Sequence, residues 1–128
     1  MSYAKLYAGL FGAVYTLVGL VGLLIPGGTS IMPTPLLVFD VNLLHNLAHL
    51  LVGVLGLIGY SMGEGASRTY ARAMGVLFVA LALLGIPDPL HSILPLGGLD
   101  IILHGLTAAL ALYVGFAAPA AKRQVARI

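Results

Sequence analysis

Long apolar runs make up most of the chain, interrupted at a few places by clusters of proline, glycine and charge. Uncharged runs cover residues 6–25, 41–60 and 101–121. At about 1.5 Å of rise per residue, roughly 20 such residues cross the hydrocarbon core of a bilayer, so each run predicts a transmembrane helix. The run over 73–87 is shorter. It reaches spanning length when Arg68 and Arg72 lay their stems along apolar surface and carry their charged heads to the interface. The predicted spans are about 4–25, 41–60, 68–86 and 100–118. Breaks coincide with Pro26-Gly27-Gly28, with Gly63-Glu64-Gly65, and with the stretch holding Pro87, Pro89, Pro95 and Gly97-Gly98, all turn chemistry. Asp40, Ser67 and Asp100 are placed to cap the second, third and fourth helices. The expected fold is an all-α membrane protein, a single domain of four transmembrane helices in an antiparallel bundle.

Composition agrees with lipid as the solvent. Of 128 residues 60% are hydrophobic and 8% charged, whereas a soluble domain carries about a quarter charged residues. The absence of cysteine excludes a disulfide scaffold and cysteine redox chemistry. Six Lys or Arg residues are too few for a nucleic-acid groove. Their distribution is more informative. With four spans, Lys5, Arg68, Arg72, Lys122, Arg123 and Arg127 all fall on one side, together with Tyr3, Tyr7, Tyr60 and Tyr70, while Asp40, Asp88 and Asp100 fall on the other. The positive-inside rule then predicts a multi-pass protein of the bacterial inner membrane with both termini cytoplasmic. Three crossings would split the cations between the two faces. The first run is too long for a signal-peptide core and lacks an A-x-A-like site before Pro26, so no cleavage is expected.

The second half echoes the first at a spacing near 60 residues. Ile25-Pro26 matches Ile86-Pro87, Asp40 matches Asp100, and His45-Asn46-Leu47-Ala48 matches His104-Gly105-Leu106-Thr107. A duplicated helical hairpin, related by an axis along the membrane normal, is one explanation. Chance reuse of helix-ending residues is the other.

In lipid, close helix packing comes from small residues and interhelical hydrogen bonds. Such a seam runs through Ala8, Gly12, Tyr15, Gly19 and Gly22 in the first span, and through Ala71, Gly75, Ala82 and Gly85 in the third. The second span adds Asn42, His45, Asn46 and His49 at i, i+3, i+4 and i+7, continuing through Gly53 and Gly56. The fourth carries Asp100, His104 and Thr107, then Ala108, Ala111 and Gly115. Counted from Asp40 and Asp100, His45 and His104 lie about 6 to 8 Å below the outer boundary and His49 about 13 Å. A polar side chain at that depth costs about 2 to 3 kcal/mol against lipid, so the stripe is expected to face the bundle interior or a partner.

The N-x-x-H-N-x-x-H stripe of Asn42, His45, Asn46 and His49, followed by Leu50-Leu51-Val52-Gly53 and joined by Asp100 and His104, resembles a family of small bacterial four-span membrane proteins catalogued as domain of unknown function 4383. The resemblance covers roughly residues 6–116. It implies the topology and the asparagine and histidine face, and no catalytic residues.

The candidate binding residues are His45, His49, His104, Asn42 and Asn46, and the chemistry they suggest has several forms. His45 and His49, one turn apart, suit zinc or copper with His104 or Asp100 as a further ligand. His45 and His104 could instead hold a haem or chlorin from both sides, or the cluster a quinone. The plainest alternative is that these groups hydrogen-bond across helices and hold the bundle together; proton transfer is a further one. His91, between Pro89 and Pro95, is expected in the outer loop, where it could fold over the site. Glu64 and Arg68 form a solvated pair of little weight. Lys122, Arg123 and Arg127 anchor the last helix to anionic lipid. No nucleophile arrangement, phosphate loop or carboxylate pair is visible, so the protein is not expected to be an enzyme. Glycine on every span exceeds what a lone bundle needs. The leading expectation is therefore a small accessory or scaffolding subunit of a larger membrane complex or homo-oligomer. The rival is a metal-, haem-, chlorin- or quinone-binding protein using His45, His49 and His104.

Overall fold

Ser2 starts the first helix: its hydroxyl accepts from the backbone N–H of Lys5 at 3.3 Å, the N-cap arrangement. Helix α1 (Tyr3–Leu24) runs to the Pro26-Gly27-Gly28 break. A short antiparallel ribbon follows, β1 (Thr34–Leu36) and β2 (Phe39–Val41), pairing Thr34 with Val41 and Leu36 with Phe39. Its two-residue turn places Leu37 at φ 57°. Then come α2 (Leu43–Met62), α3 (Glu64–Gly85) and α4 (Leu99–Leu112), the last loosening into a π-helical turn over Tyr113–Ala117. This computed structural model describes residues 1–120. Lys122, Arg123 and Arg127, and the end of the last predicted run, lie outside the described residues.

Four helices, Tyr3–Leu24, Leu43–Met62, Glu64–Gly85 and Leu99–Ala117, are long and apolar enough to cross a membrane, so the all-α four-span architecture stands. Several local expectations need correction. Asp40 does not cap α2: it lies exposed in β2, and Asn42 is the cap. Asp100 is no cap either, since α4 starts after Gly98 and the buried Asp100 sits inside its first turn. Ser67 lies a full turn inside α3, whose start is at Gly63, and its hydroxyl donates to the Gly59 carbonyl of α2 at 3.0 Å. A single residue, Gly63 at φ 103°, makes the α2–α3 turn, a conformation open to glycine because it lacks Cβ. The proposed duplication is not mirrored in local structure. The first hairpin's connection carries the ribbon while the second's has no strand, and Asp40 and Asp100 occupy unlike positions.

Helix α1 packs most closely on α2, and α3 on α4; α1 and α3 also touch across the bundle centre, whereas α2 and α4 share little backbone proximity. Glycine makes the first contact intimate. A Cβ on Gly56 would stand 2.8 Å from the Gly12 Cα, and one on Gly12 would stand 2.7 Å from the Leu57 nitrogen. A Cβ on Gly53 would collide with the Thr16 backbone nitrogen, and one on Gly22 with the Asn46 carboxamide. Gly75 likewise receives Leu112, and Gly115 receives Arg72. The central layer holds Tyr7, Ala8, Tyr15, Tyr70, Met74, Phe78, Ala108 and Ala111.

At the Gly63 end, Arg68 and Arg72 do not simply carry charge outward. Arg68 donates to the carbonyls of Val114 and Ala118 at 3.1 and 3.0 Å, and Arg72 Nε to that of Gly115 at 2.9 Å. These are the carbonyls of the π-helical turn and its end, which lack ordinary helical partners.

Candidate functional site

The site lies at the ribbon end, where α2 begins. Asn42 caps that helix, its Oδ1 accepting from the His45 backbone at 2.9 Å. Its Nδ2 donates to Ile93 O at 2.7 Å and Ile31 O at 3.3 Å, so one buried amide joins both connections of that end. Asn46, one turn on, donates through Nδ2 to Gly28 O at 3.0 Å and lies against Gly22. Both asparagines are almost fully enclosed. Their amide groups pair with backbone atoms and so tie the connections of this end to the start of α2.

The histidines differ. His45 Nε2 and His49 Nε2 stand 3.1 Å apart, with ring planes at 80° and centroids 4.4 Å apart. Asp100 Oδ2 is 3.8 Å from His45 Nε2, which joins the starts of α2 and α4 by side chains although the helix backbones stand apart. A belt of rings completes the cluster through all four helices. His104 of α4 stacks on Phe78 of α3 at 5.4 Å, Phe78 on Tyr15 of α1 at 5.5 Å, and Tyr15 meets the edge of His49 of α2 at 5.3 Å. The sequence reading did not single out Phe78. Its position three residues past Gly75 on the same heptad seam was the available signal.

His45, His49 and His104 line one cavity of about 210 Å³, walled otherwise by apolar groups including Val52, Phe78 and Leu81. All three have a buried Nδ1 with no hydrogen-bond partner, and His45 and His104 are each only 3% exposed. Buried polar atoms are nearly always paired, with protein, water or ligand, so three unpartnered nitrogens in one cluster stand out; the cavity beside them presents an apolar lining. The metal assignment to His45, His49, His104 and Asp100 is not supported. Among the described residues no group of three or more His, Cys, Asp or Glu side chains is arranged to hold a metal ion. A tetrapyrrole does not fit either: the cavity is below the roughly 300 to 1,000 Å³ usual for drug-sized ligands, and Phe78 covers a face of His104.

A second polar pocket of about 130 Å³ opens at the same end, lined by Asp40, Asp88, His91, Gly97, Gly98 and Asp100 among others. Within it His91 Nδ1 is 2.7 Å from Asp88 Oδ2 and His91 Nε2 is 3.8 Å from Asp40 Oδ2. The Leu96 backbone donates to Asp88 Oδ1 at 3.3 Å. His91 thus lies in the connection between α3 and α4 and lines this pocket and not the histidine cavity. Asp100 borders the outer pocket on one side and His45 on the other.

The family described as Domain of unknown function (DUF4383) matches residues 5–117. The chain belongs to this family, and it is an integral membrane protein by its four spans. No curated protein and no solved structure matches it.

Proposed function

We propose that this family member is a non-catalytic, multi-pass protein of the bacterial inner membrane, with its Gly63 end cytoplasmic, that binds a small molecule in the cavity between His45, His49 and His104. The observation carrying this reading is the cavity of about 210 Å³ that His45, His49 and His104 line together with apolar side chains. Hydrogen bonds to the connections between helices account for the Nδ2 groups of Asn42 and Asn46, but the Nδ1 atoms of the three imidazoles have no partner. Native mass spectrometry from mild detergent tests it. The expected spectrum contains a bound organic mass that is lost in His45→Ala and His104→Ala. A bare chain mass for the unaltered protein would count against it.

The accessory or scaffolding reading loses its first argument, because the glycine seams of α1, α2 and α3 are filled inside the bundle. A different observation favours it. Outside the helices, Ile31, Met32, Leu37, Val38 and Ile93 are exposed, Leu37 by 93%. Ile31, Met32 and Ile93 join Leu43, Leu44 and Leu47 around an apolar groove of about 380 Å³. Contiguous exposed apolar surface of this kind suits another membrane subunit or a second copy. The same spectrum reads it: a partner or oligomer mass supports the subunit role, and a strict monomer opposes it.

A further inference from the structure

The polar pocket beside the ribbon holds an excess of hydrogen-bond acceptors. Asp40 of β2, Asp88 of the α3–α4 connection and Asp100 of α4 line it together with His91, and no Lys or Arg does. The Asp88 carboxylate is engaged: Oδ1 accepts from the Leu96 backbone at 3.3 Å, and Oδ2 stands 2.7 Å from His91 Nδ1. A carboxylate only accepts, so this contact puts the His91 proton on Nδ1. In the neutral ring Nε2 is then bare, and it meets Asp40 Oδ2 at 3.8 Å, acceptor against acceptor. Asp100 adds a third. Its side chain is only 6% exposed, and the group paired with it, His45 Nε2, is 3.8 Å away, beyond hydrogen-bond reach. That nitrogen is already in contact with His49 at 3.1 Å. An enclosed carboxylate without a donor is costly, so the pocket lacks a positively charged donor.

Charge, distance and size describe the missing group. The start of α4 offsets roughly half an elementary charge and a protonated His91 would offset one more, which still leaves the three carboxylates in excess. One nitrogen at about 2.8 Å from each reaches both His91 Nε2 and Asp40 Oδ2 across their 3.8 Å gap. A caged metal ion is not indicated, because no group of three or more His, Cys, Asp or Glu side chains among the described residues is arranged for one. The volume of about 130 Å³ is somewhat below the roughly 150 Å³ of a cavity that accepts benzene, which leaves room for an ammonium on a stem of about two or three carbons. Val38 and Pro95 supply apolar lining for such a stem. We infer that this pocket binds a primary ammonium group, carried by a small free amine or by the ethanolamine headgroup of a membrane lipid, with Asp40, His91 and Asp100 as its acceptors. The site is separate from the histidine cavity, and the inference does not depend on the ligand-binding reading of that cavity.

Ethylammonium and tetramethylammonium carry the same charge and differ in N–H donors. Each, as its chloride and at fixed ionic strength, is titrated into the full chain labelled with ¹⁵N in its histidines. The chain is held in nanodiscs of phosphatidylcholine with phosphatidylglycerol and, in parallel, of phosphatidylethanolamine with phosphatidylglycerol. In the phosphatidylcholine discs ethylammonium is expected to move the His91 Nε2 resonance saturably, with an affinity about tenfold or more above that of tetramethylammonium, which leaves the acceptors unpaired. Asp40→Asn and Asp100→Asn should each weaken ethylammonium about fivefold or more, by removing a charge-assisted bond. A resonance already displaced in the phosphatidylethanolamine discs, and hardly moved by added ethylammonium, identifies the lipid headgroup as the source; equal titrations in the two discs identify a free amine. Equal response to both cations, or no saturable shift in the phosphatidylcholine discs, overturns the inference. A tighter response to calcium chloride overturns it in favour of a metal ion. Asp40 is exposed, so if Asp100→Asn does not fold, unchanged affinity in Asp40→Asn still overturns it.

Discussion

At the residue scale, the ribbon end depends on one carboxamide. Asn42 serves as helix cap, as donor to Ile31 and as donor to Ile93. An N-cap contributes about 1 kcal/mol and a buried backbone group left unpaired costs about 1 to 3 kcal/mol. Asn42→Ala is therefore expected to lower the unfolding free energy in detergent by about 2 kcal/mol or more, read from chemical unfolding, whereas Asn42→Asp should keep the cap and lose the two donations. The residue type at position 42 was legible as part of a polar stripe, because four polar groups on one membrane-facing period have to be hidden. Its capping role was not, since it depended on a short ribbon that moves Asp40 away from the helix start. The histidines were legible as a cluster for the same reason of depth, and the chain brings them together. That His45 and His49 would turn Nε2 toward Nε2, with Asp100 beside the first, follows from ring rotamers that spacing does not encode.

Between elements, two kinds of contact set the packing. Where α1 meets α2, glycine on both helices lets backbone touch backbone, the close approach that membrane helices use in place of hydrophobic collapse. Gly53→Ala places a methyl group against Thr16 and is expected to cost about 1 to 3 kcal/mol by overpacking, seen as a fall in melting temperature. Gly105→Ala, at a position with open space around it, should leave melting unchanged or raise it slightly through helix propensity. Where α3 meets the end of α4, Arg68 and Arg72 supply donors to the π-helical turn. Replacing Arg68 by Met is expected to speed amide hydrogen exchange at Val114–Ala118 while the α1–α2 contact stays protected, and uniform protection throughout would contradict the capping role. The sequence made all four spans visible through length and apolarity, including the one whose apolar run is short. It hid the start of α3, because Glu64 and Gly65 read as part of a turn although the turn is Gly63 alone. The ribbon was hidden too, since its strands are three residues each and lie among prolines.

For the whole molecule, the two ends of the bundle carry different polar chemistry. At the ribbon end the pocket of Asp40, Asp88 and His91 adjoins the histidine cluster through Asp100 and His45, while the other end has arginines bound to carbonyls and Lys5 over the Tyr60 ring at 4.8 Å. On the proposed reading the binding capacity lies on the ribbon side, and the apolar groove of Ile31, Met32 and Ile93 is on the same side. If that side is extracytoplasmic, a cysteine placed at Leu37, in a chain that has none of its own, should react with a membrane-impermeant maleimide in intact cells. Labelling only after lysis would reverse the orientation.

The central claim is that His45, His49 and His104 form one buried cluster beside a single cavity, with the Nε2 atoms of His45 and His49 in contact and the Nδ1 atoms without protein partners. Solid-state ¹⁵N NMR of histidine-labelled protein in bilayers addresses it directly. The account predicts a correlation between the Nε2 atoms of His45 and His49, together with one protonated and one bare Nδ1 in that pair. Three rings with no such correlation, each contacting lipid acyl chains independently, would contradict it.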